Sequence, residues 1–196
     1  MRRSGRVGAA ETMPAGSRLL PRILLTAIAG LSLPAAAKEA VFAFPAEVAG
    51  FVRGPRTDYE ARSPGYGYSV VYTNGRWKAD VYVYDRGLDG IPDGRSSPAV
   101  TDEIGKANGE IAGMVERGLY RSSRDRGPIA LGGTSGRQLA CRTVAIDHAQ
   151  LGPTDSILCI TGLRGSFVKF RLSAPTERRA SRKEAERFIT GWLGRQ

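Results

Sequence analysis

One histidine, His148, and two cysteines, Cys141 and Cys159, are all that 196 residues offer among the side chains most used for metal binding and nucleophilic catalysis. A multi-histidine zinc or iron site is excluded on count, and two cysteines with one histidine make an incomplete zinc set. Gly133-Thr134-Ser135-Gly136 places a serine near glycines, but it lacks the G-x-S-x-G spacing of a nucleophile elbow. It also reads as a strand-to-strand turn, where that elbow needs a strand-to-helix turn. A hydrolase would need Ser135, His148 and a loop aspartate to converge, whereas His148, beside Asp147, reads as an exposed turn histidine. Walker and dinucleotide glycine patterns are missing, so no cofactor is expected.

Two further groups could bind without catalysing. Asp85, Asp89 and Asp93 recur every four residues, interleaved with Gly87, Gly90 and Gly94. Calcium takes several carboxylate and carbonyl oxygens from one flexible loop, which makes these aspartates the metal candidates. The spacing is not that of an EF-hand, and Asp-Gly pairs are common turn formers, so the expectation is no metal site. The second group is aromatic: Tyr59, Tyr66, Tyr68, Tyr72, Trp77, Tyr82 and Tyr84 crowd one stretch. Aromatic residues beside charges suit an interface or ligand groove, and Tyr82, Tyr84, Lys78 and Trp77 are the ligand- or partner-binding candidates. The competing role is stabilisation of a sheet by cross-strand aromatic pairs.

The elements that must position these groups follow from local pattern. Asn74-Gly75 is a preferred pair for a two-residue type I′ turn, with both residues at positive φ. Folding there sets Tyr72 opposite Trp77, Val70 opposite Ala79 and Tyr68 opposite Val81 on one apolar face, with Lys78, Asp80 and Tyr82 on the other. Before the hairpin, residues 51–60 form a strand interrupted by Gly54-Pro55. After it, residues 85–98 are a loop. Ser97-Pro98 then starts a helix whose buried stripe is Val100, Ile104, Ala107, Ile111, Met114 and Val115. Gly105, Gly109 and Gly113 leave a smooth ridge that a neighbouring element could approach.

Strands are expected at residues 119–124, 128–131, 137–146, 156–162 and 166–173, with a turn at 132–136. Leu139 and Cys141 alternate with Val144 and Ile146, the mark of a sheet covered on both faces. A hairpin near Gly152-Pro153 would bring Cys141 and Cys159 nearly opposite each other. Register decides whether they form a disulfide or remain two buried thiols filling small core sites. Ser181-Arg182-Lys183-Glu184 fits a capping box opening a helix with Ala185, Phe188, Ile189, Trp192 and Leu193 inward.

The beginning of the chain carries an address. Arg18 and Arg22 precede an apolar run over 23–33, Pro34 breaks it, and Ala35-Ala36-Ala37 is a small-residue cleavage site. Only 15 uncharged residues separate Arg22 from Lys38, short of the ~18 a membrane span needs. Residues 1–37 therefore read as a cleavable signal peptide, 38–50 as an arm, and 51–196 as a single domain. Met13 is an alternative start. No cysteine follows the apolar run, which argues against a lipid anchor.

The element order is hairpin, helix, antiparallel strands, helix. It gives an α+β domain, an antiparallel β-sheet with helices on both faces, or α/β/α sandwich. GYSVVYTNGRWKADVYVYD, the ~20-residue helix, the strand pair GPIALGGTSGRQLACRTVAID and SILCITGLRGSFVKFRLS, and the last amphipathic helix resemble the PsbP-like domains. The resemblance covers about residues 51–193 and lies in element order. It implies that fold, and a family whose members mostly bind or assist; no functional residue transfers position by position.

The formal net charge is +10, and it is uneven: residues 38–110 carry nine basic and eleven acidic side chains, residues 111–196 fifteen and seven. Export turns this basic half away from nucleic acid and toward envelope partners or simply solvated faces. The expected protein is a periplasmic or secreted, non-enzymatic binding or accessory module. Its partner would be another envelope protein or a small ligand, with no nucleic acid and no membrane span after cleavage. The alternatives are a structural subunit meeting a neighbour through the glycine ridge, and a small secreted hydrolase using Ser135, His148 and the loop aspartates.

Overall fold

A computed structural model describes residues 42–196, the side chains of 135 and 137 excepted. The expected signal peptide, 1–37, and residues 38–41 of the expected arm lie outside the described residues. Eight strands form one antiparallel sheet: β1 (Glu47–Val48), β2 (Phe51–Asp58), β3 (Tyr68–Thr73), β4 (Lys78–Tyr84), β5 (Tyr120–Ile129), β6 (Ala140–His148), β7 (Gly152–Leu163) and β8 (Ser166–Pro175). Their spatial order is β1-β2-β3-β4-β8-β7-β6-β5. Helix α1 (Pro98–Glu116) packs on one face and α3 (Arg182–Leu193) on the other, with a short α2 (Gly133–Arg137) between β5 and β6. The molecule is therefore the expected α+β sandwich. Among the described residues no helix is long and apolar enough to cross a membrane.

Alternation along the strands feeds two cores. Beneath α3, Phe188 packs on Phe51 (4.5 Å between ring centroids) and Tyr72 (5.1 Å), and Trp192 meets Phe170 edge-on at 5.4 Å. The arm adds Phe42 and Phe44 against Trp192. Each such ring fully buried is worth roughly 1.5–3 kcal/mol. The start of α3 is fixed by its capping box: Ser181 Oγ accepts from Lys183 N at 3.2 Å, and Glu184 Oε2 accepts from Ser181 N at 3.1 Å. On the opposite face Val100, Ala107 and Ile111 of α1 cover Val144, Ile146, Leu158, Ile160 and Phe167. Ser97 caps α1, its hydroxyl accepting from Val100 N at 3.2 Å.

Cys141 and Cys159 stand directly opposite in the β6–β7 ladder and form a disulfide with Cα atoms 4.1 Å apart. The expected division of side chains holds, Leu139 and Cys141 in one core and Val144 and Ile146 in the other, although β6 begins only at Ala140 and not at 137, because residues 133–137 are helical.

Four local expectations are corrected. The β3–β4 register is Thr73 with Lys78 and Tyr72 with Ala79, two residues away from the one a two-residue turn would impose. The turn holds four residues, 74–77; Asn74 Oδ1 accepts from the N–H groups of Arg76 (3.1 Å) and Trp77 (2.8 Å), and of Asn74 and Gly75 only the glycine takes positive φ. Trp77 leaves the ladder because its ring is buried under α3 and its Nε1 donates to Ser181 O at 3.1 Å. A shift of two preserves which side chains share a face. Residues 119–124 and 128–131 are not separate strands: β5 runs through them, with register shifts between Tyr120 and Ser122 and between Asp125 and Gly127 absorbing the Gly-Pro break. Residues 132–136 are not a plain turn, since a helical turn begins at Gly133. Finally, the glycine ridge of α1 points away from the sheet, with open space around Gly105, Gly109 and Gly113.

Candidate functional site

On the α1 face the sheet is covered only in part, and the uncovered part is a cleft of about 260 Å³. Its floor is β4 and β8, whose neighbouring residues are Tyr82 with Lys169 and Tyr84 with Phe167. One wall is α1 through Ala107, Glu110, Ile111 and Met114; the other is Tyr59 and Tyr66 from the β2–β3 connection. Tyr59 stacks on Tyr82 with centroids 6.4 Å apart and planes at 21°. The Tyr59 hydroxyl is fixed to Ser69 Oγ at 2.9 Å.

The rim is built by one residue in an unusual backbone. Arg86 has φ +58°, a left-handed conformation that costs a non-glycine residue free energy and is held only when its surroundings demand it. Its N–H donates to Gly65 O at 2.7 Å, and its guanidinium donates to Glu103 (2.9 Å) and Glu110 (2.6 Å). Glu103 is 1% exposed inside the α1 stripe, and it also accepts from the Tyr84 hydroxyl at 2.6 Å. Burial would lower the guanidinium's pKa, but hydrogen bonds and charges from Glu103 and Glu110 raise it well beyond the ordinary range. This closed set of partners is how a buried carboxylate is tolerated.

Lys169 sits at the centre, its side chain 13% exposed. Its ammonium lies 4.6 Å from the Tyr82 ring centroid and 5.0 Å from that of Tyr84. The nearest carboxylate oxygen is Glu110 Oε2 at 3.9 Å. Burial, opposed by Glu110 and Glu103 and reinforced by Arg86 and Arg171, holds the ammonium below the ordinary lysine range. Burial also raises the pKa of the Tyr82 and Tyr84 hydroxyls, helped by Asp80 and Glu103 respectively, so both stay protonated donors at neutral pH.

A second groove of about 230 Å³ continues along the same face and shares Tyr82 and Arg171 with the first. Lys78 and Asp80 pair across it at 2.6 Å, and Arg171 donates to the Tyr120 hydroxyl at 2.5 Å. His148 lines its far side, with Nδ1 accepting from Gln150 N (3.1 Å) and Leu151 N (3.3 Å) and its ring 5.5 Å from that of Tyr120.

The structure thus brings Tyr82, Tyr84 and Lys78 onto one face and separates them from Trp77, which is 3% exposed in the opposite core with Tyr68 and Tyr72. The aspartates of the 85–98 loop do not gather. Asp85 accepts from Gly87 N, Asp93 from Arg164 N at the β7–β8 turn, and Asp89 is exposed. Among the described residues no three His, Cys, Asp or Glu side chains are placed to share a metal ion. Residue 135 falls in α2, before the start of β6, whereas His148 is the last residue of that strand, which is about 26 Å long at ~3.3 Å per residue. The cleft around Lys169 is lined by four tyrosines, two arginines, Lys169 and Glu110, together with apolar side chains from α1 and β7.

Sequence reasoning missed Lys169, Arg171, Arg86 and Glu103. A signal for the first two exists. Val168, Phe170 and Leu172 alternate with them, so two cations occupy the second face of a strand expected to be covered on both sides.

No family model matches the chain, and no curated protein matches it. Among solved structures the chain is similar to a mutant of protein Mog1, at 11% identity and a TM-score of 0.33, covering 74% of this chain and 82% of that one.

Proposed function

We propose that the chain is an exported, non-enzymatic binding or accessory module of the PsbP-like kind, and that its ligand seats in the cleft between α1 and the sheet. One observation carries this reading: four tyrosines converge around a largely buried lysine in a cavity that the fold leaves open. Burying an ammonium costs free energy, and the core would be more stable with an apolar residue there. Such an arrangement fits a surface kept for recognition. The disulfide supports export, since such bonds persist mainly in oxidising compartments.

Met114 sits partly exposed on the α1 wall, so Met114→Trp fills the cleft from the helix side. Small aromatic molecules that bind the native chain in ligand-observed NMR lose that binding in Met114→Trp. Unchanged binding of every such molecule would place the site elsewhere and remove the cleft from the proposal.

A further inference from the structure

Taking the cleft as the binding site, we infer that its ligand carries an anionic group, held between Lys169 and Arg171, on an apolar body of about one ring. The two cations are two residues apart on β8, so they project from one face of the strand about 7 Å apart. Neighbouring carboxylates are already used. Glu103 is taken by Arg86 and Tyr84, Glu110 by Arg86, and Asp80 by Lys78. Lys169 stands 3.9 Å from Glu110, and among the described residues no hydrogen-bond acceptor reaches its ammonium. Arg171 makes no ion pair among the described residues; its partner is the neutral Tyr120 hydroxyl. Lys169 and Arg171 repel each other in a half-closed, tyrosine-walled site, and the counter-charge beside them is shared: Glu110, 3.9 Å from Lys169, is held by Arg86, and Asp80, opposite Arg171 in the ladder, is held by Lys78. A carboxylate, phosphate or sulfate group adds the hydrogen-bond acceptor that the Lys169 ammonium is without and an unshared negative charge for both cations.

The size of the body follows from the cavity. About 260 Å³ exceeds the ~150 Å³ that holds benzene and falls just below the ~300 Å³ at which drug-sized pockets begin. The floor and walls that would meet this body are Tyr59, Tyr82, Ile111, Met114 and Leu158, which favour a flat apolar group.

The test uses the purified chain with benzoate, benzamide and benzylamine, one ring carrying negative, no and positive charge. Inorganic phosphate and sulfate serve as ring-free anions. Affinities come from calorimetry, and the location of binding from tyrosine and lysine NMR shifts. Benzoate binds on the order of tenfold or more tighter than benzamide, the scale of a hydrogen bond to a charged group, and benzylamine does not bind. Lys169→Met and Arg171→Met each bring benzoate toward the benzamide level. Arg126→Met, on the exposed edge strand, leaves it unchanged. Equal binding of benzoate and benzamide, untouched by the two β8 variants, overturns the anion but leaves the cleft in place. Phosphate or sulfate binding as tightly as benzoate overturns the ring-sized body. No binding and no shift of cleft resonances with any of the five overturns the anion and the cleft together.

Discussion

At the scale of single residues, the buried Glu103 and the largely buried Lys169 have opposite degrees of satisfaction. Glu103 is enclosed by Arg86 and Tyr84, whereas Lys169 relies on two aromatic faces and a carboxylate beyond hydrogen-bond distance. Because burial holds Lys169 below its usual value in the folded chain, the unfolded chain binds more protons in between. Stability therefore rises with pH across that window. The gain is complete above the unfolded value near 10.5 and lost as pH falls through the folded one. Lys169→Met removes the desolvated charge and stabilises the fold at neutral pH by on the order of 1 kcal/mol. Urea titrations at neutral and alkaline pH check this: the variant is more stable at neutral pH and lacks that part of the pH dependence. A less stable variant would mean that the aromatic contacts outweigh the cost of burial. Tyr82, Tyr84 and Lys78 were legible in the sequence because alternation assigns a face once the hairpin is located. Glu103 was not, since a glutamate within a helical stripe looks solvent-facing until the arginine that neutralises it is known. That arginine, Arg86, lies in a loop 17 residues earlier.

Elements were legible where local chemistry decides them and misread where a distant partner does. The caps at Ser97 and Ser181 and the stripes of α1 and α3 come from spacing within a few residues. The β3–β4 turn depends on Trp77 preferring the α3 core, a contact more than 100 residues away in the chain. The 85–98 loop is a similar case. It is pinned to the sheet by two hydrogen bonds between Gly94 and Gly162, of 2.9 and 3.0 Å, although its composition says only that it is a loop. A Cβ at Gly162 would collide with the Pro92 carbonyl, so the backbones can meet only because residue 162 has no side chain. Gly162→Ala is expected to cost about 1–3 kcal/mol, as overpacking does. It should also speed hydrogen exchange at the Gly94 amide well beyond any change at β6 amides. Equal effects at both places would show a general loosening with no specific loss of the pin.

For the molecule as a whole, the succession of elements and the covering of both faces were legible from turn signals and alternation, and the α+β sandwich followed; the spatial order, with β8 between β4 and β7, was not. The meaning of the basic second half was not. Arg121, Arg126 and Arg142 pair with Asp147, Asp155 and Asp125, so part of that charge is spent on neighbouring strands. The hydrogen bonds from Arg142 hold the Asp125 carboxyl below its usual range. The disulfide acts at this scale too, closing a loop with a sequence separation of 18 residues. Cys141→Ala with Cys159→Ala should lower unfolding free energy by about 3 kcal/mol in chemical denaturation, with the sheet retained. A loss within error would mean the unfolded chain is already constrained there. The two margins of the sheet have a last consequence. One is the two-residue β1 together with the stretch of β2 that it does not cover, broken by a register shift at Gly54-Pro55; the other is β5, bent by two register shifts and carrying Pro128 and three arginines. Neither offers a long, flat row of open backbone groups to a second chain. A concentrated solution of the folded protein should therefore resist the edge-to-edge stacking that seeds fibrils.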